Sequence, residues 1–150
     1  MTATIAAHQY RIHFYVPGQP APQGSKDHKG NGRMVESSKY VGPWRERIAI
    51  AAHNFAVQFG TTHPAVLPFT GQALSMELKF VMRRPASTPK TRTPPAVKRP
   101  DCDKLVRAVF DACTGILFSD DAAIIELHAF KRLAEIGESP GVHISVTSLP

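Results

Sequence analysis

Residues 83 to 100 hold five prolines and six Lys/Arg, and this stretch divides the chain. Proline fixes φ and lacks an N–H, so neither a helix nor a paired strand continues through such a run. The segment must form an extended basic loop. Regular structure has to end before it and begin again after it, and what it delivers the chain to is Asp101-Cys102-Asp103.

Upstream, Tyr10, Ile12, Phe14 and Val16 alternate with Arg11, His13 and Tyr15, the period of a strand with one buried face, closed by Pro17-Gly18. From Gly18 to Lys39 the chain is rich in Gly, Pro, Ser and Lys and reads as a mobile, exposed basic loop. Trp44, Ile48, Ala51, Phe55 and Phe59 recur at helical spacing, with Ser37 or Ser38 and Pro43 near the start and Gly60 just past the end. Leu74, Met76, Leu78, Phe80 and Met82 then alternate with Ser75, Glu77 and Lys79 in a second strand. Beyond the proline-rich loop, Asp103 is a natural N-cap. Leu105, Ala108, Val109 and Ala112 form one face of the helix it opens, Lys104, Arg107 and Asp111 the other, and Thr114-Gly115 stops it. Two last strands are expected at about 123–132 and 141–147, joined by a polar loop containing Glu138-Ser139-Pro140-Gly141. The sum is an α/β (α+β) fold, a single small domain over 1–150 with a four-stranded mixed sheet and two helices packed on it. At 150 residues it buries a core without staples.

Charge is unevenly placed. The first hundred residues carry fourteen Lys/Arg against four Asp/Glu, the last fifty four against eight, and the sequence pI is about 9.6. Such a surface attracts a polyanion, nucleic acid first, while keeping a small acidic focus. Cys102 and Cys113 have no zinc-like spacing, no apolar run is long enough to span a membrane, and no signal peptide is recognisable. Reduced thiols and a cytoplasmic location are the expectation.

Asp101, Asp103, Asp111, Asp120 and Asp121 fall in one stretch. Crowded carboxylates repel unless a cation or proton holds them, so the simplest reading is a site for Mg²⁺ or Mn²⁺, with no organic cofactor. In an extended segment Asp101 and Asp103 project to one side, and Asp121, at the start of the third strand, is expected to return to the helix N-terminus beside them. Asp103 has capping as an alternative role, Asp103–Arg107 is an ordinary helix pair, and Ser119-Asp120-Asp121 is ordinary turn chemistry. Other motifs fail: an EF-hand counted from Asp101 would place Leu105 and Val106 where a ligand and a glycine belong, and no H-E-x-x-H or G-x-x-x-x-G-K pattern occurs.

Arg99-Pro100-Asp101-Cys102-Asp103-Lys104-Leu105, then Phe110-Asp111-Ala112-Cys113-Thr114-Gly115, then Ser119-Asp120-Asp121-Ala122 resemble the signature of the RusA-type Holliday-junction resolvases of phages and prophages. The resemblance extends through Val16-Pro17-Gly18-Gln19-Pro20, Gln23-Gly24-Ser25-Lys26 and Lys131. It implies a homodimeric, Mg²⁺-dependent endodeoxyribonuclease in a bacterial host, nicking two strands symmetrically across a four-way DNA junction. Asp101, Asp103 and Asp121 would be the essential metal-binding carboxylates, with Asp120 supporting. Where better-known members have Asn and Lys, this chain has Lys104 and Arg107, catalytic candidates for stabilising the scissile phosphate. Lys26, Lys29, Arg33, Lys39, Lys90, Arg92, Lys98, Arg99 and Lys131 would hold the DNA arms. A DNA-binding protein without nuclease activity, and a nuclease for other branched DNA, stand as alternatives.

Overall fold

The structure is a computed structural model describing residues 8–24, 26–29, 33–36 and 39–150, the stretches 26–29 and 33–36 by their backbone alone. The elements are β1 (Arg11–Pro17), β2 (Lys26–Lys29), β3 (Arg33–Glu36), α1 (Val41–Thr62), β4 (Leu74–Met82), α2 (Cys102–Cys113), a 3-10 turn (Asp121–Ala123), β5 (Ile124–Leu133) and β6 (Gly141–Ser148). Four strands form one mixed sheet in the order β1-β6-β4-β5. β6 runs antiparallel to both neighbours, while β4 and β5 are parallel and joined through α2.

The period-2 pattern decides which face is covered. Ile12, Phe14 and Val16 of β1, Leu74, Met76, Leu78, Phe80 and Met82 of β4, and Val142, Ile144 and Val146 of β6 point one way and are buried. Trp44, Ile48 and Ala52 of α1 and Leu105, Ala108 and Val109 of α2 close over them in one core. Both helices thus lie on the same face. The opposite face is open and polar, with Arg11, His13, Glu77, Lys79, Arg132, His143 and Ser145 around a shallow depression of about 380 Å³.

Four expectations change. The segment from Gly18 to Lys39, read as loop throughout, contains the antiparallel pair β2–β3, with Lys26 opposite Glu36 and Lys29 opposite Arg33. α1 runs through Gly60 to Thr62, because one glycine costs a helix only about 1 kcal/mol and Phe59 packs against Tyr10 and His63 there. Its start is Tyr40, not a serine; Ser37 and Ser38 lie outside the described residues. The N-cap of α2 is Asp101, so Asp103 is already helical.

The proline-rich segment is irregular, as its composition requires, but it is well tied down. Arg84 is enclosed by it, donating to Thr93 Oγ1 at 2.7 Å, to the carbonyls of Arg92 at 2.7 Å and Ala134 at 3.2 Å, and to that of Pro89. Thr93 donates to Glu135 at 2.7 Å. Lys131 Nζ, on β5, donates to the carbonyls of Lys98 and Pro100, both at 2.8 Å. The chain is therefore clamped to the far end of β5 just before it enters α2.

Candidate nuclease site

Asp101 has extended backbone (φ −71°, ψ 143°), which turns the chain out of the loop and into α2. Its carboxylate makes no cap hydrogen bond and instead accepts from Lys104 Nζ at 3.2 Å. That pair is exposed and adds little stability, so the carboxylate is available to a stronger cation. Asp103 is exposed in the first helical turn, where the helix dipole favours its charge. The two acids are related by the start of a helix and not by strand alternation, which corrects the basis on which they were paired.

At Asp101 opens a cleft of about 960 Å³. The Gly18–Pro22 segment, the N-terminal turns of α1, and Arg99, Pro100, Asp101 and Lys104 form its walls. Lys39, Arg47, Arg99 and Lys104 bring four cations to it and Asp101 one anion, with Tyr40, Trp44, Pro20, Pro22, Pro43 and Pro100 among the apolar lining. Lys39 also lies over the Tyr40 ring at 5.2 Å. Sequence reasoning missed Tyr40, Trp44 and Arg47; helical spacing assigned Trp44 to the core, where it indeed is, and nothing local marked its neighbours as cleft residues. Arg47 is held in place by Nη1 donating to the Pro17 carbonyl at 3.2 Å.

The other basic candidates divide. Lys90, Arg92, Lys98 and Arg99 are exposed along the proline-rich loop. Lys131, expected among the DNA contacts, has its ammonium engaged by the Lys98 and Pro100 carbonyls and acts as a clamp. The side chains of Lys26, Lys29 and Arg33 lie outside the described residues, though their backbones belong to the β2–β3 hairpin. Arg107 is exposed on α2 with its guanidinium against Gly24. Asp111, one turn on, accepts from Gln23 Nε2.

Asp120 and Asp121 do not join Asp101 and Asp103 within the chain. Asp120 Oδ1 accepts from the Ala122 N–H at 2.9 Å, so it caps the 3-10 turn that Asp121 begins. This turn leads into Ile124, which pairs with Leu74 at the beginning of β4, whereas Asp101 follows the clamp at Lys131, near the other end of β5. α2 separates the two acidic pairs by its own length, about 18 Å for twelve residues. Among the described residues no three His, Cys, Asp or Glu side chains stand close enough to share a metal ion. The expected three-carboxylate convergence is therefore corrected: the crossover returns Asp121 to the C-terminal end of α2, not to its N-terminus. The donor chemistry still suits Mg²⁺, which takes hard oxygens and usually only one or two carboxylates, completed by water and phosphate oxygens. Asp101 and Asp103 meet that lower requirement.

No helix among the described residues is long and apolar enough to cross a membrane. The sequence profile of a family described as Endodeoxyribonuclease RusA matches residues 17–147. No curated protein matches the chain.

Proposed function

The chain belongs to the RusA endodeoxyribonuclease family, and from that premise we propose that it is a Mg²⁺-dependent resolvase of four-way DNA junctions, acting as a homodimer and nicking two strands symmetrically. The observation that carries the reading is the cleft in which Lys39, Arg47, Arg99 and Lys104 surround Asp101 at the N-terminus of α2. Cations at the walls attract and orient the phosphate backbone, while the carboxylates of Asp101 and Asp103 provide the local negative charge that recruits a divalent ion. Mg²⁺ or Mn²⁺ bound there would supply an activated water and stabilise the leaving 3′ oxygen, giving 5′-phosphate and 3′-hydroxyl ends. Lys104 and Arg107 stabilise charge at the scissile phosphate. The exposed Lys90, Arg92, Lys98 and Arg99 hold DNA arms.

The separation of the acidic pairs supports the dimer. β5 is an edge strand of the sheet and exposes Ile125, Leu127 and Phe130, an arrangement that soluble proteins cover or pair. If two copies pair antiparallel along this edge, the beginning of one β5 lies beside the end of the other. Asp121 of the partner subunit then comes to the Lys131–Pro100 clamp, next to Asp101 and Asp103. A two-fold axis generates two such composite sites, matching two symmetric cuts.

The test is to incubate the protein and its Asp103→Asn variant with a labelled four-way junction and the matching linear duplex, with and without Mg²⁺. Paired nicks on the junction, absent in the variant and without metal, are expected. Tight, salt-sensitive binding with no cleavage under any metal would leave a DNA-binding protein, and cleavage of forks or flaps in preference to junctions would redirect the substrate.

A further inference from the structure

Gln23 is nearly inaccessible at 7% exposure, although it lies in an irregular segment. Three contacts hold it on α2. Its backbone N–H donates to the Lys104 carbonyl at 3.0 Å, its Nε2 donates to Asp111, and the next residue, Gly24, lies under the Arg107 guanidinium. Gly24 has φ +104°, a backbone conformation that favours glycine, and a Cβ there would stand 2.8 Å from Arg107 Nη1, so a side chain would push the guanidinium aside. An ionised Asp111 only accepts hydrogen bonds, so it fixes which end of the Gln23 amide faces it and leaves Oε1 buried without a partner. A buried acceptor left unmatched is tolerated where the rest of the contact is needed.

We infer that Gln23 and Asp111 form a latch that positions Arg107 and the root of the β2–β3 hairpin, which begins three residues after Gln23 at Lys26, on the face of α2 that leads to Asp101 and Asp103. Asp111 is on this account a positioning residue and not a metal ligand, although it belongs to the acidic stretch. The inference rests on the reading above, in which Arg107 and the hairpin meet DNA.

A charge-swap series tests it, each variant assayed below its own melting temperature. Asp111→Asn keeps an acceptor for Gln23 and is expected to cleave junctions within about twofold of the parent, because the geometry is retained. Gln23→Glu sets two carboxylates against each other and is expected to lower turnover per folded molecule by about tenfold or more, since small displacements of a positioned cation are costly. Gln23→Glu with Asp111→Asn restores a bond of reversed polarity and is expected to recover most of that loss, the signature of direct coupling. The Mg²⁺ concentration for half-maximal cleavage stays constant throughout. Amide exchange at Gln23, whose N–H is bonded to Lys104, should quicken in the single Gln23→Glu variant and slow again in the double. A raised Mg²⁺ midpoint in Asp111→Asn, a double variant no better than Gln23→Glu, or exchange that changes while turnover does not would each overturn the latch. A parent protein that cleaves no junction would overturn the resolvase reading instead, and the exchange pattern would still decide the latch.

Discussion

Gly141, the first residue of β6, pairs with Pro17 across the sheet, and a Cβ placed on it would come within 2.5 Å of both the Val16 carbonyl oxygen and the Tyr15 hydroxyl. One of these is backbone and cannot rotate away. Gly141→Ala is expected to cost several kcal/mol or to abolish folding, at roughly 2–4 kcal/mol by analogy with other forced overpacking. Gly60, inside α1 with nothing within 4 Å, is the control. Gly60→Ala should stabilise by about 0.5–1 kcal/mol, because alanine forms helix better and loses less entropy on folding. Thermal melts of the two variants decide both. The thiols are equally opposed: Cys113 is enclosed and burial pushes it up to about 12, whereas Cys102 is partly exposed. Only one thiol should react with a thiol reagent in the native protein at pH 8, and two after unfolding.

At the scale of elements, strands with alternating faces could be read before any coordinates, because β1 and β4 each bury one side and period 2 records that directly. α2 was legible for the same reason, with Leu105, Ala108, Val109 and Ala112 all buried where spacing put them. The β2–β3 hairpin was not, since its strands, Lys-Asp-His-Lys and Arg-Met-Val-Glu, bury no continuous apolar face; the one available signal was Asn31-Gly32 lying between them. That the candidate residues Asp101, Asp103, Lys104 and Arg107 gather at the start of α2 was legible, but their relation to Asp121 was not. Sequence gives neighbours along a helix, whereas which end of a crossover faces which acid depends on strand direction. The edge of β5 carries its own prediction. Ile125→Lys with Phe130→Lys replaces two exposed apolar residues and should leave the fold within about 0.5 kcal/mol. Light scattering should nevertheless show the proposed dimer lost. A dimer that persists would move the interface elsewhere.

Among the described residues, two groups on the open sheet face and its rim tie stability to acid. Glu138 accepts from both Arg132 nitrogens, at 2.6 and 2.7 Å, and from the Glu135 N–H, which together hold its carboxyl down at about 2. His143 is held below the ordinary histidine range, first by burial and then by His13, Lys79 and Arg132 around it. In both cases the unfolded chain takes up the proton first. The His143 contribution is therefore lost as pH falls below about 6.5, and that of Glu138 between about 4.5 and 2. His143→Gln should flatten the first limb of a stability–pH curve and leave the second. Function poses a sharper test of the assembly. Asp103→Asn and Asp121→Asn are each expected to be inactive alone. If each site takes Asp101 and Asp103 from one protomer and Asp121 from the other, a mixed dimer places both defects in one site and leaves the second intact. Random exchange makes about half the dimers mixed, so about a quarter of all sites should be restored. Because a mixed dimer has one working site, the mixture should nick junctions on one strand and not in symmetric pairs. Sites built wholly within one protomer have no intact copy in any combination, and the mixture would stay inactive.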